Sequence, residues 1–394
     1  MRKTILMMLL LIFINSLNVS NVFATTLAPP NILSESAIVL EANTGRILFE
    51  KNASKQMYPA SLTKIATAIY AIENGQLDDE VKVSSNAKSV EGTRVYLEVG
   101  EKVTLKKLIQ GLLINSGNDA GVAIAEHLDG NVKQFSNNLN TYLKNNIGVQ
   151  NTNFENPHGL YNKNHLTTAE DLAKITKYAL QNNTFKEIFS TKELDWRGDT
   201  WDTTLITHHK ILKGEIPYEE VTGGKTGYIN QSGFTLATTA DNGNLSLIVI
   251  TLNNPTEETT YHDTEQLLDY GFENYITKYI EKDTIYGVGN KKFKSTENLY
   301  YTSLKNEQIS KKISKDGTLN ITTKEGDPVA IYPLESINST IQEEQNRKPD
   351  EVKSFSKNNT YNSIILLYLG IFLTVIVLYF WLKSSTTINR GKHQ

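Results

Sequence analysis

A serine and a lysine three residues apart, in Ser61-Leu62-Thr63-Lys64, open the first strongly helical stretch of the chain. Three residues is close to one helical turn, so both side chains lie on one face. The serine stands at the positive end of the helix, where developing negative charge is favoured. A hydroxyl nucleophile and an amine base held this way are the parts of covalent acyl transfer. The competing account is a capping serine with a solvated lysine. Ser85-Asn86-Ala87-Lys88 and Ser354-Phe355-Ser356-Lys357 repeat the spacing, but neither starts a comparable apolar helix.

Two more polar groupings sit where a fold buries them. Ser116-Gly117-Asn118 forms an elbow between two apolar helical runs, and Asn118 or Asp119 is positioned to cap the second. Val221-Thr222-Gly223-Gly224-Lys225-Thr226-Gly227-Tyr228 reads as a strand whose glycines let something approach its backbone. Lys225 and Thr226 offer a cation and a hydroxyl to a carboxylate, and Gly227 leaves room for the ligand. His158, in the turn Asn156-Pro157-His158-Gly159-Leu160, reads as loop-shaping rather than as a general base. No histidine or carboxylate stands at metal-ligand spacing from it, and neither metal nor cofactor is expected.

The elements that must hold these groups follow from hydrophobic period. Leu62, Ile65, Ala66, Ile69 and Ile72 keep a 3.6-residue repeat until Asn74-Gly75. Leu105, Leu108, Ile109, Leu112 and Leu113 predict a second amphipathic helix, and Ala120 to Leu128 a third. Thr168-Ala169-Glu170-Asp171 resembles a capping box. Strands are predicted at 37–40 and 46–49 around a turn, and at 233–240 and 245–252 around Asp241-Asn242-Gly243-Asn244, with a helix from Glu265 to Tyr275. The expected class is mixed α/β: terminal strands join one antiparallel sheet, with helices inserted between them.

The 394 residues carry a net charge of −3 and no long basic run, which gives no reason to expect nucleic acid as a partner. Zero cysteines exclude disulfides and thiolate chemistry. Residues 1–24 read as a secretory signal, with Arg2-Lys3, an apolar core from Ile5 to Ile14 and the cleavage site Val22-Phe23-Ala24. The catalytic portion is expected over 25–276, a small β-rich domain over 277–345 and a polar linker over 346–362. Residues 363–382 have the length and apolarity of a transmembrane helix, and 383–394 form a basic tail. The chain is thus expected to be exported and tethered to the cell membrane by its C-terminus.

S-x-x-K, S-x-N and K-T-G in this order resemble the motif set of the penicillin-recognising serine enzymes. With Tyr58-Pro59-Ala60, Ser116-Gly117-Asn118-Asp119-Ala120 and Asn156-Pro157-His158-Gly159-Leu160, residues 33 to 275 resemble the D-alanyl-D-alanine carboxypeptidases, the low-molecular-weight penicillin-binding proteins. The resemblance implies a penicillin-binding/β-lactamase-like transpeptidase fold and a bacterial cell-wall substrate, the peptidoglycan stem pentapeptide. It also implies inhibition by β-lactam antibiotics.

In those terms Ser61 is the nucleophile, Lys64 its general base and Ser116 a proton relay. Asn118, Lys225, Thr226, Gly227 and Tyr228 bind substrate, with backbone N–H groups of Ser61 and Tyr228 as the oxyanion hole. One departure stands out: relatives often carry an arginine shortly before the helix matching Glu265 to Phe272, and Glu257 to His262 contains none. The resemblance then puts more of the carboxylate binding on Lys225. A D,D-endopeptidase, a β-lactamase and an inactive peptidoglycan-binding protein are the alternative readings. No obvious equivalent of the β-lactamase deacylating glutamate is present.

Overall fold

A computed structural model describes residues 28–199 and 201–337. The predicted signal segment, linker, transmembrane helix and tail lie outside the described residues. Among those described, no helix is long and apolar enough to cross a membrane.

Strands Ser36–Glu41 (β1), Ile47–Lys51 (β2), Val221–Ile229 (β3), Gly233–Asp241 (β4) and Ser246–Asn254 (β5) form one antiparallel sheet in the order β2-β1-β5-β4-β3. β1 pairs with β5, from Ser36 opposite Leu252 to Glu41 opposite Leu247. Because the sheet is covered on both faces, its central strands are almost continuously apolar. Ile38, Leu40, Ile248 and Ile250 pack into the larger, helical core. Their alternating neighbours Ala37, Val39, Leu247 and Val249 meet Leu267 and Leu268 of helix α5 (Glu257–Asn274) on the other side.

The helical side contains α1 (Thr63–Asn74), α2 (Leu105–Ile114), α3 (Asn118–Asp129) and α4 (Ala169–Ala179). α1 is buried from Thr63 to Ala71, so it runs through the core, and a short 3₁₀ turn at Ala60–Leu62 precedes it. The cap of α3 differs from expectation: Gly117 occupies that place and Asn118 is the first helical residue. Asp119 is unavailable as a cap because its carboxylate accepts hydrogen bonds from the backbone N–H groups of Val95 and Leu97. At α4, Thr168 caps Asp171 N at 3.0 Å, but Asp171 does not reciprocate and accepts instead from Asn151 N and Thr152 Oγ1. α5 begins eight residues before the predicted start at Glu265. Its first turns are polar and carry no apolar period, so only the Thr256 cap marks them.

Beyond α5 the described residues form strands joined by turns. Tyr275–Ile280 pairs with Leu299–Leu304, and two three-stranded sheets follow around Ile280, Leu299, Leu319 and Ile321. Arg46 donates to Thr302 O, and Thr44 Oγ1 lies 3.0 Å from Thr302 Oγ1, tying the β1–β2 turn to these strands.

Candidate active site

Lys64 is completely buried, and its Nζ lies 2.7 Å from Ser61 Oγ and 2.8 Å from His158 O. Lys64 Nζ donates to both oxygens, the His158 carbonyl and the Ser61 hydroxyl. Burial holds the Lys64 amine well below its ordinary value, the charge of Lys225 pushes the same way, and Asp119 opposes both. The histidine loop is therefore part of the seat of the Lys64 amine through its backbone, as a loop-shaping residue would be. Its imidazole Nδ1 accepts from Leu160 N.

Lys225 stands behind Ser116, with Nζ 3.0 Å from Ser116 Oγ and 3.0 Å from Thr226 O. Burial alone lowers this amine to about 7. The two lysines thus approach the pocket through the two serines, one on each side. Ser116 has φ 62° and Ala60, just before Ser61, has φ 49°. Left-handed backbone at two non-glycine residues costs of order 1–3 kcal/mol each and persists where the surroundings over-determine it.

At Ala60 the surroundings do so. Thr63 Oγ1 donates to Ala60 O at 2.9 Å and meets His165 Nε2 at 2.8 Å. His165 Nδ1 accepts from Glu155 N, and burial lowers the imidazole to about 3, so the ring is neutral and its Nε2–H donates to Thr63. Thr235 Oγ1 donates to Pro59 O at 3.1 Å. Gly159, with φ 90°, lies so near Ala60 that a Cβ would stand 1.8 Å from the Ala60 carbonyl oxygen. A Cβ on Gly227 would lie 2.9 Å from Ser61 N. Thr235 Oγ1 and the backbone of Ser61 therefore crowd the side of Gly227 on which a Cβ would stand, while Gly227 itself lines the pocket.

A depression of about 400 Å³ opens here, walled by Ser61, Ser116, Thr226, Gly227 and Tyr228 among others. Five of the eight sequence-predicted residues line it, and Lys64 and Lys225 stand behind the serines. Asn118 is set back: its Nδ2 donates to Glu91 O at 2.7 Å and its N–H to Thr93 O at 2.7 Å, and Thr93 lines the wall in front of it. Glu257, Thr260 and Tyr261 of α5 complete the pocket in the stretch that lacks the expected arginine. Thr93, His208 and Thr235 were not singled out in the sequence because isolated hydroxyls and one histidine carry no spacing signal. Asp119 was read as a cap, yet it is buried and holds the loop that carries Thr93 to Leu97 through three backbone N–H···O contacts.

The D-alanyl-D-alanine carboxypeptidase (peptidase S11) family model matches residues 23–256. The chain belongs to the D-alanyl-D-alanine carboxypeptidase family. It is 31% identical over 319 residues to D-alanyl-D-alanine carboxypeptidase DacF of Bacillus subtilis, covering 79% of each chain. It is 32% identical to the DacA carboxypeptidase of Haemophilus influenzae over 63% of this chain and 64% of that one. In structure it resembles penicillin binding protein 5 from H. influenzae, with a TM-score of 0.70 at 26% identity, over 79% of this chain and 98% of that. A mutant of the Streptomyces K15 DD-transpeptidase matches 62% of this chain and 99% of its own at a TM-score of 0.59 and 27% identity. The carboxypeptidase family makes this a serine peptidase of peptidoglycan with penicillin-binding character, built on the penicillin-binding protein fold.

Proposed function

We propose that Ser61 is the acylated residue of this carboxypeptidase and that Lys64 is its base. The reading is carried by the 2.7 Å contact between Ser61 Oγ and a wholly buried Lys64 amine. Ser61 Oγ attacks the carbonyl carbon of the penultimate D-alanine while its proton passes to Lys64 Nζ. The resulting oxyanion is held by the N–H groups of Ser61 and Tyr228, on the 3₁₀ turn and on the edge strand β3. Collapse breaks the C–N bond, and the leaving amine of the terminal D-alanine takes a proton relayed through Ser116. Water then hydrolyses the ester and restores Ser61. Lys225 and Thr226 hold the terminal carboxylate, and Asn118 acts on the substrate peptide, with its amide also fixing the wall at Glu91.

The apolar segments at 5–14 and 363–382 support export and C-terminal attachment to the cell membrane, with the catalytic residues outside. Deleting 364–394 is expected to release active enzyme from membranes, and continued attachment would show a second anchor.

The activity test is mass spectrometry of a muropeptide pentapeptide incubated with the enzyme. Loss of one terminal D-alanine is expected, absent in Ser61→Ala. Untouched pentapeptide beside cleaved cross-links would favour the endopeptidase. Labelled penicillin is expected to remain on Ser61 as a stable ester, since the glutamate that lines the described pocket, Glu257, is engaged by Lys210 Nζ at 2.7 Å. Rapid multiple turnover of the drug would instead make this a β-lactamase.

A further inference from the structure

Two tyrosines stand exposed side by side on the strands that follow α5. Tyr279 and Tyr300 are cross-strand partners, 54% and 39% exposed, with ring centroids 5.7 Å apart. A cross-strand aromatic pair stabilises a sheet by about 0.2–1 kcal/mol, and that alone accounts for its presence. It does not account for the surroundings. The pair forms one side of a depression of about 390 Å³ whose other walls are mostly polar residues from separate parts of the chain, with Gly243 and Leu245 among them. Asn43 comes from the β1–β2 turn, Asp241, Asn244 and Ser246 from the β4–β5 hairpin, and Thr277 from the strand of Tyr279.

We propose that this depression is a glycan-binding subsite that takes an N-acetylated hexosamine of the polymer whose peptides the enzyme trims. The choice of polymer rests on the carboxypeptidase reading; the choice of a sugar rests on the walls. A pyranose ring presents apolar C–H faces and a rim of hydroxyl and acetamido groups. Tyrosine rings supply rigid apolar area for the face, and carboxamide, hydroxyl and carboxylate groups supply donors and acceptors for the rim. A flat apolar partner would leave Asn43, Asp241 and Asn244 without exchange for their water. A purely ionic ligand would leave the two rings unused.

The site is preformed, which limits the ordering cost of binding. Thr277 N donates to Asn244 O at 3.0 Å, joining the hairpin to the strand. Thr302 Oγ1 lies 2.8 Å from Thr277 Oγ1 and 3.0 Å from Thr44 Oγ1, joining that strand to the turn that carries Asn43. Asp241 is fixed by Gly243 N at 2.6 Å and by the Ser246 hydroxyl.

The depression also continues toward the catalytic strand. Asn43, Asp241 and Ser246 wall a second hollow of about 430 Å³ that extends to Lys177, Lys186 and Thr222. Thr222 stands four residues before Thr226 on β3, about 13 Å along the strand. Lys177 and Lys186 both line this hollow, where their ammonium groups suit acidic groups carried by stem peptides. A strand of polymer held here raises the local concentration of its own peptide ends at Ser61.

The test uses the full-length protein and the N-acetylglucosamine tetramer as probe, with binding read by calorimetry. Saturable binding is expected, weakened at least tenfold by Tyr279→Ala with Tyr300→Ala and also by Asn244→Ala. Thermal melting checks that each variant is folded, and Tyr279→Leu with Tyr300→Leu repeats the test with apolar bulk retained at the strand pair. KM for insoluble peptidoglycan is expected to rise about tenfold in the double variant, with KM for free pentapeptide unchanged. No saturable binding, or equal binding by folded double variants, overturns the subsite. Wild-type enzyme that leaves free pentapeptide uncut overturns the carboxypeptidase reading instead, without affecting the tetramer result.

Discussion

Adding one methyl group at Gly227 tests whether the close approach of β3 to Ser61 sets the rate of acylation. A Cβ there stands 2.9 Å from Ser61 N, 3.1 Å from Ala60 Cβ and 2.5 Å from Thr235 Oγ1. Ordinary contact begins near 3.4 Å, so Ser61 N and the strand must separate by 3.4 − 2.9, about 0.5 Å. Thr235 has no harmless escape, because rotating its hydroxyl away breaks the hydrogen bond to Pro59 O that holds the same segment. Overpacking of this kind costs about 1–3 kcal/mol, so Gly227→Ala should fold with a melting temperature only a few degrees lower. Misplacement by about 1 Å costs about 10²-fold in rate, and half that distance is expected to slow acylation by at least about tenfold. The assay is the second-order rate constant for labelling by a fluorescent penicillin. Gly130→Ala is the control: Gly130 has φ 79° and open space around it, so a side chain adds backbone strain of about 1–2 kcal/mol without touching the pocket. Wild-type labelling by a folded Gly227→Ala, or an equal loss in Gly130→Ala, would refute the reasoning.

Ser61→Ala and Lys64→Ala should each abolish pentapeptide turnover, whereas Ser85→Ala and Lys88→Ala should leave it intact, since Lys88 is an exposed partner of Glu98. Asp119→Ala strips an acceptor from the buried N–H groups of Val95, Leu97 and Ala120, and should cost about 3 kcal/mol in urea unfolding together with a slower acylation rate. Lys225 titrates at about 7 when folded and at its ordinary 10.5 when unfolded, so the unfolded chain holds the extra proton between these values. Stability should therefore rise with pH across that window, and Lys225→Met should flatten the rise. The same loss of charge above about pH 7 should raise KM for the carboxylate-ended peptide, measurable in a pH profile of kcat/KM.

The sheet and the main helices were legible because period and burial agree in them. α1 and α2 show the 3.6-residue repeat, and the paired strands 37–40 and 245–252 are apolar enough to be central. The strands Glu193–Arg197 and Asp202–Ile206 were missed because each turns one clearly buried residue inward, Trp196 and Leu205, among charged and polar neighbours. Lys291–Lys294 and Ile309–Ile313 were missed likewise, their lysines masking short strands. At the site, residue types at fixed spacing identified both serines and both lysines. Spacing says nothing about the far side of a side chain, so the roles of Asp119 and His165 and the close approach of Thr235 and Ser61 to Gly227 appear only once tertiary contacts are known.

The pairing of β1 with β5 has a consequence for when the chemistry can exist. Ser36 and Leu252 are neighbours in space but 216 residues apart in sequence (252 − 36), and closing so long a loop comes late and slowly. Until the sheet closes and β3 docks on the Ala60–Leu62 turn, Lys64 is an ordinary hydrated ammonium and Ser61 an ordinary alcohol. Neither has the depressed amine nor the nearby second cation that the finished site provides. On the proposed role of Ser61, a nascent or partly unfolded chain is therefore chemically harmless to the acyl compounds around it, and Ser61 is switched on by completion of the fold itself.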